Sequence, residues 1–133
     1  MIWCVFDRDD NTNAMLSKAK QVAIKEGYQI AFSNPSFEVW FLLHFNNQTT
    51  PVENCEAAIK LLKKKGRLEQ YEKNKEVYEQ LKPLQEAAID RAKKRVAVLQ
   101  AEHTEILSRE SNPVTTVAEP VSYTHLRAHE TTL

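Results

Sequence analysis

The chain has 133 residues, and its 18 Lys+Arg balance 18 Asp+Glu to a formal net charge of zero. That length suits one domain or part of one, and the charge balance argues against a basic nucleic-acid tail and an acidic solubilising segment. With 42% hydrophobic and 27% charged residues, the composition suits a soluble chain that buries a core.

Other bulk features narrow the class. No apolar run approaches the roughly 20 residues of a membrane span. Met1-Ile2-Trp3 runs into Asp7 without the basic region of a secretory signal, so the cytoplasm is the expected compartment and no membrane partner is expected. Cys4 and Cys55 form no CxxC pair, which speaks against a disulfide framework or structural zinc site. Only two glycines occur, too few for an all-β architecture or a glycine-rich phosphate loop.

Ile2–Phe6 reads as a short buried strand that stops at the polar run Asp7-Arg8-Asp9-Asp10-Asn11. From Asn13 to Glu26 the spacing predicts a helix, with Leu16, Ala19, Val22 and Ala23 on one face, Asp10 and Asn11 as candidate caps and Gly27 as its stop. Tyr28–Phe32 reads as a second strand. Strand, helix and strand form a βαβ unit with parallel strands and a right-handed crossover. Their carboxyl ends share one sheet edge, where Asp7, Asp9 and Asn34 converge. Ser36–Phe45 follows as a helix, with Asn34 or Ser36 as cap, and Val52–Lys65 as a third with Cys55, Ala58, Ile59 and Leu62 inward. Residues 60–75 carry the one notable basic patch. Asn74–Leu81 reads as a short helix or an ordered loop. A long helix then runs from Pro83 to about Ser108, with a stripe of Leu84, Ala88, Ala92, Val96, Leu99 and Ile106.

Two constellations can carry chemistry. In Asp7-x-Asp9, crowded carboxylates repel each other until a divalent cation or a proton relieves them. Oxygen donors of this kind suit Mg²⁺ or Mn²⁺. The plainer reading is a polar loop after a strand. In Ser33-Asn34-Pro35-Ser36-Phe37-Glu38-x-Trp40, Glu38 stands in the first turn of an apolar helix, near the same edge. It is either a third metal ligand or general base, or a residue that merely complements the helix dipole. His44 is read as a buried, satisfied histidine. Cys4 and Cys55 are read as core residues rather than nucleophiles. Lys63, Lys64, Lys65 and Arg67 form either a solvated face or a phosphate contact for nucleic acid.

The joint pattern Trp3-Cys4-Val5-Phe6-Asp7-Arg8-Asp9 and Ser33-Asn34-Pro35-x-Phe37-Glu38-x-Trp40-x-Leu42-Leu43-His44-Phe45 resembles the RloB-like family. Pro83 with its helix, and Asn112-Pro113 through Thr116, resemble that family's C-terminal half. The resemblance covers residues 1–119. It implies an association with restriction and phage-defence loci (abortive infection among them), often beside an ATPase partner, and a similarity to Toprim proteins, in which a Glu after the first strand and a later DxD bind Mg²⁺ for phosphodiester chemistry. Carried onto this chain, it implies Asp7 and Asp9 as metal ligands. Roles for Glu38 and Asn34, which stand in the second motif, are inferred.

The expected fold is thus α/β: a partial Toprim-like parallel sheet with flanking helices and a long C-terminal helix. The expected function is that of a fragment of a Mg²⁺-dependent nuclease subunit using Asp7, Asp9 and Glu38. The family's N-terminal strand and Glu motif are absent from residues 1–119, so this polypeptide is expected to be marginally folded and inactive, with an unpaired edge at Ile2–Phe6. The rivals are a non-catalytic DNA- or partner-binding module and a haloacid-dehalogenase-type phosphatase, whose loop prefers Thr or Val where Asn11 stands. Val121–Thr131 is similar, residue for residue, to a reading frame of a transposon-type sequencing adapter. Residues 120–133 are therefore read as an artefactual tail, and His125 and His129 as no metal site.

Overall fold

A computed structural model describes residues 1–73 and 76–122. Asn74 and Lys75 of the basic patch, and the adapter-like stretch from Tyr123 onward with His125 and His129, lie outside the described residues.

Strand β1 (Trp3–Asp7), helix α1 (Asn13–Glu26) and strand β2 (Gln29–Asn34) form the expected parallel βαβ unit. Thr12, rather than Asp10 or Asn11, caps α1 by accepting the Met15 amide. Gly27 ends it at φ 75°, a left-handed conformation that a glycine adopts without steric cost. Only part of the expected apolar face of α1 is inward: Leu16 and Ala23 are buried, whereas Val22 is 50% exposed.

Three helices and a 3₁₀ turn follow: α2 (Glu38–Leu42), α3 (Cys55–Leu62), α4 (Tyr78–Leu81) and the turn Lys82–Leu84. Both α2 and α3 are shorter than their apolar patterns predict. Asn54 caps α3 by accepting the Ala57 amide. Helix α5 (Gln85–Ala101) starts behind Pro83 and stops well before Ser108. The chain leaves it through His103 at φ 60°, and the Thr104 amide returns to the Leu99 carbonyl. Ile106 therefore packs from a loop, not from the helix stripe.

Strand β3 (Val114–Thr115) pairs antiparallel with β2, so the three-stranded sheet is mixed, in the order β1-β2-β3. Central β2 is covered on both faces, as its apolar run requires. Ala31 packs with Trp40, Leu43, Ala88 and Ala92, while Phe32 packs on the opposite side with Leu16, Leu99 and Val114. A third cluster joins α2 and α3 to Leu68, Tyr71 and Val77. At the sheet edge, Ile2 and Val5 of the β1 segment are 57% and 58% exposed. Among the described residues, no helix is long and apolar enough to cross a membrane.

Candidate functional site

The carboxyl ends of β1 and β2 are stitched together. Asp7 stands opposite Ser33, the Arg8 amide donates to the Ser33 carbonyl at 2.8 Å, and the Asp9 amide donates to the Pro35 carbonyl at 3.2 Å. These bonds carry the polar loop across the start of the Ser36–Glu38 segment. Asp9 takes φ 45°, a left-handed turn that Asp tolerates better than most residues, and its side chain is exposed. Arg8 turns inward instead, and its Nη2 donates to the Glu53 carbonyl at 2.8 Å. Asn11 donates to the Asp7 carbonyl at 3.3 Å.

Glu38 is the centre of the cluster. Its side chain is 3% exposed, and a carboxylate so deep must find partners. It finds several. The Tyr71 hydroxyl donates to Oε2 at 2.7 Å. The Lys73 ammonium lies 3.2 Å from the same oxygen. The Cys55 thiol donates to Oε1 at 3.4 Å. Burial pushes the Glu38 carboxyl up, but Tyr71, the neighbouring Ser36 hydroxyl, its own backbone amide and Lys73 together hold it below its ordinary value. Glu38 is thus an anion at neutral pH. Burial presses on the Lys73 ammonium, yet Glu38 leaves it above its ordinary range. Burial and the same carboxylate push the Cys55 thiol up. Cys55 is therefore a protonated donor and not a nucleophile, in keeping with its reading as a packing residue.

Asp7 has the opposite character. Burial raises its carboxyl above the ordinary value, the Phe37 backbone and the Lys73 charge offset part of this, and the nearby Glu38 and Asp9 charges raise it again. Among the described residues no cation lies within ion-pair distance of it. Asp7 is a carboxylate short of positive charge beside one that already has it. The Glu38 charge reaches Asp7, and Asp9 is on the solvent side. Among the described residues, no three His, Cys, Asp or Glu side chains stand close enough together to hold a metal ion as they are.

Asn34 ends β2 as expected but does not cap α2. No side chain caps α2, which starts from Phe37. Asn34 is fully buried and its Nδ2 donates to the Ser108 carbonyl at 2.9 Å, the Arg109 carbonyl at 3.2 Å and Ser111 Oγ at 3.1 Å. It fastens the loop after α5 to the sheet. Lys63, Lys64 and Lys65 are exposed just past the end of α3, whereas Arg67 is half-buried and donates to the Leu61 carbonyl at 3.1 Å. His44 is 4% exposed, with Nδ1 on the Trp40 carbonyl at 2.8 Å, the satisfied histidine that was expected.

Sequence reasoning missed Tyr71 and Lys73 as partners of Glu38. Lys73 lay within the basic patch and read as one surface charge among seven Lys/Arg. The one available signal was the buried acid itself: a Glu inside so apolar a segment demands a donor and a cation from elsewhere in the chain.

A βαβ edge with an acidic pair, one member neutralised and one open, defines a small α/β protein with a candidate anion- or cation-handling centre. The family model described as RloB-like protein matches residues 1–123. The chain therefore belongs to the RloB-like family. Searches of curated proteins and of solved structures find no match.

Proposed function

We propose that the protein serves phosphodiester chemistry on nucleic acid in a phage-defence or restriction setting, with a divalent cation, Mg²⁺ or Mn²⁺, at Asp7 and Asp9 and with an ATPase partner subunit. The observation that carries this reading is the pairing of an open, charge-strained Asp7 with a neutralised Glu38 at the carboxyl ends of two parallel strands. The donor set fits a hard cation. Mg²⁺ needs only one or two carboxylates when water and phosphate oxygens complete its shell. Such an ion stabilises charge that develops on phosphate.

The chain's own residues define the rest. Tyr71 and Lys73 keep Glu38 ionised, and both Glu38 oxygens are engaged. Glu38 therefore acts through Lys73, holding an ammonium at the edge of the centre where a phosphate would lie, and not as a direct ligand. Asp7 would hold the cation, because burial and the Glu38 and Asp9 charges outweigh what the Phe37 backbone and Lys73 offset.

The test is cation titration of the purified protein by calorimetry, with a nicking assay on supercoiled DNA and on RNA. Micromolar-to-millimolar Mg²⁺ or Mn²⁺ binding that disappears in Asp7→Asn supports the reading. Unchanged cation binding in that variant removes it.

A second reading, a nucleic-acid-binding module without catalysis, is favoured by one observation: Lys63, Lys64 and Lys65 are exposed together while Glu38 is already saturated. A salt-dependent affinity for DNA that survives Asp7→Asn, without strand cleavage, selects it.

A further inference from the structure

A cavity of about 300 Å³ opens beside the carboxylate centre, between α2 and the α4 segment. That is at the lower end of ligand-sized pockets. Its walls include the rings of Phe37, Trp40, Phe41, His44 and Tyr78, with Lys82 at the rim. The rings are braced edge to face: Phe37 on Phe41 at 5.2 Å and 87°, Trp40 on His44 at 4.7 Å and 79°. The Lys82 ammonium lies 6.0 Å from the centre of the Tyr78 ring.

The polar groups around this cavity are few and specific. His44 places Nδ1 against the Trp40 carbonyl, so the ring presents Nε2 away from that bond. Burial holds the ring below its ordinary pKa, so at neutral pH Nε2 presents a lone pair. Glu76 also lines the rim, where its carboxylate accepts the Tyr78 amide at 2.7 Å.

The cavity and the carboxylate centre share a wall. The Phe37 backbone is the group that steadies Asp7. Phe41 packs on Tyr71 at 5.8 Å, and Tyr71 is the donor to Glu38. The cavity's own polar lining is His44, Glu76, Tyr78, Lys82 and Gln85, and Asp7 and Glu38 stand behind its Phe37 and Phe41 wall. Aromatic walls with a lysine at the rim are what single-stranded nucleic acid recognises: rings stack the base while the cation holds the backbone.

We propose that this aromatic cavity receives one unpaired nucleobase of a single-stranded nucleic acid, whose backbone then passes Lys73 and the Asp7–Glu38 centre. The inference deepens the proposed function by naming its substrate class, and it rests on that reading for the course of the backbone past the carboxylates. A duplex keeps its bases stacked inside and cannot fill the cavity without expelling one.

The experiment measures binding of fluorescein-labelled 12-mers to the full chain by anisotropy at fixed salt: oligo(dT), oligo(rU), the same dT strand carrying central abasic sites, and a 12-bp duplex. The proposal expects single strands to bind more tightly than duplex. It expects abasic sites to weaken binding at least about fivefold, which corresponds to roughly 1 kcal/mol. Tyr78→Ala, a change at a residue 51% exposed, is expected to erase the difference between the base-bearing and abasic strands. The dT and rU arms decide between DNA and RNA. Equal affinity for the intact and abasic strands, or for the duplex, overturns the proposal using the unaltered protein, so misfolding of a variant cannot hide the result. Cation binding at Asp7 is measured separately, without oligonucleotide. Base discrimination without a cation response therefore sinks the metal reading alone, and the reverse result sinks the cavity alone.

Discussion

The Tyr71 hydroxyl donates a 2.7 Å hydrogen bond to Oε2 of Glu38, and this buried bond joins two residues 33 positions apart. It ties the loop after α3 to the first turn of α2. Tyr71 is 5% exposed, so water cannot replace the donor if it is removed. A hydrogen bond to a buried charge contributes about 1.5–3 kcal/mol. Tyr71→Phe, which keeps the ring on Phe41, is expected to lose stability in that range in urea unfolding. A loss below about 0.5 kcal/mol would show that the carboxylate finds another donor.

Glu38 makes stability depend on pH in a definite direction. Its carboxyl sits below its ordinary value of 4.5 in the folded chain. The stabilisation is fully present above that value and is lost as pH falls toward and through the lower, folded one. Glu38→Gln keeps an acceptor for Tyr71 but gives up the anion that Lys73 faces. The ammonium is 56% exposed, so screening reduces the effect to about 1 kcal/mol at neutral pH. The decisive measurement is the slope: the variant's Tm is expected to fall less steeply than the wild type's between pH 5 and about pH 3.

Asn34 gives a prediction about architecture. Its Nδ2 serves two carbonyls and a hydroxyl of residues 108–111. Asn34→Ala leaves those acceptors without their donor and is expected to cost about 1–3 kcal/mol. Hydrogen exchange locates the damage. Amides of residues 104–112 are expected to lose protection, while α1 keeps its own. Uniform loss across the chain would show that Asn34 supports the sheet and not that loop.

The legible parts of this protein are those governed by local rules. The switch from Phe6 to Asp7, the helical periodicity of the 14-residue α1 and Gly27 at its end each follow from near-neighbour chemistry, and the βαβ unit is formed as they require. Asp7 and Glu38 could be placed at one edge because strand direction fixes that edge. What stays hidden is set by long-range pairing. Nothing near Tyr71 in the chain says that it meets Glu38, and the Asn34 amide looks like a cap until Ser108 and Ser111 come within reach. Helix α5 ends early for a similar reason. The apolar stripe continues to Ile106, but the chain turns back at His103 so that Leu107 and Val114 can pack on Leu16 and Phe32.

Asp7 separates function from stability. Its carboxyl is raised above the ordinary value of 3.8 by burial and by the Glu38 and Asp9 charges. A raised acid binds its proton more tightly when folded, so its ionisation weakens the fold as pH rises from the unfolded value through the folded one. At neutral pH that destabilisation is complete. Asp7→Asn removes the charge and keeps the shape, and it is expected to raise Tm by a few degrees, as about 0.5–1 kcal/mol does in a domain of this size. A cation bound to the ionised site is expected to have the same effect on the wild type by mass action. The two stabilisations must therefore exclude each other. Mg²⁺ is expected to raise the Tm of the wild type and leave that of Asp7→Asn unchanged. If the variant is less stable than the wild type in the absence of divalent cation, Asp7 is a structural acceptor and the charge strain assigned to it is wrong.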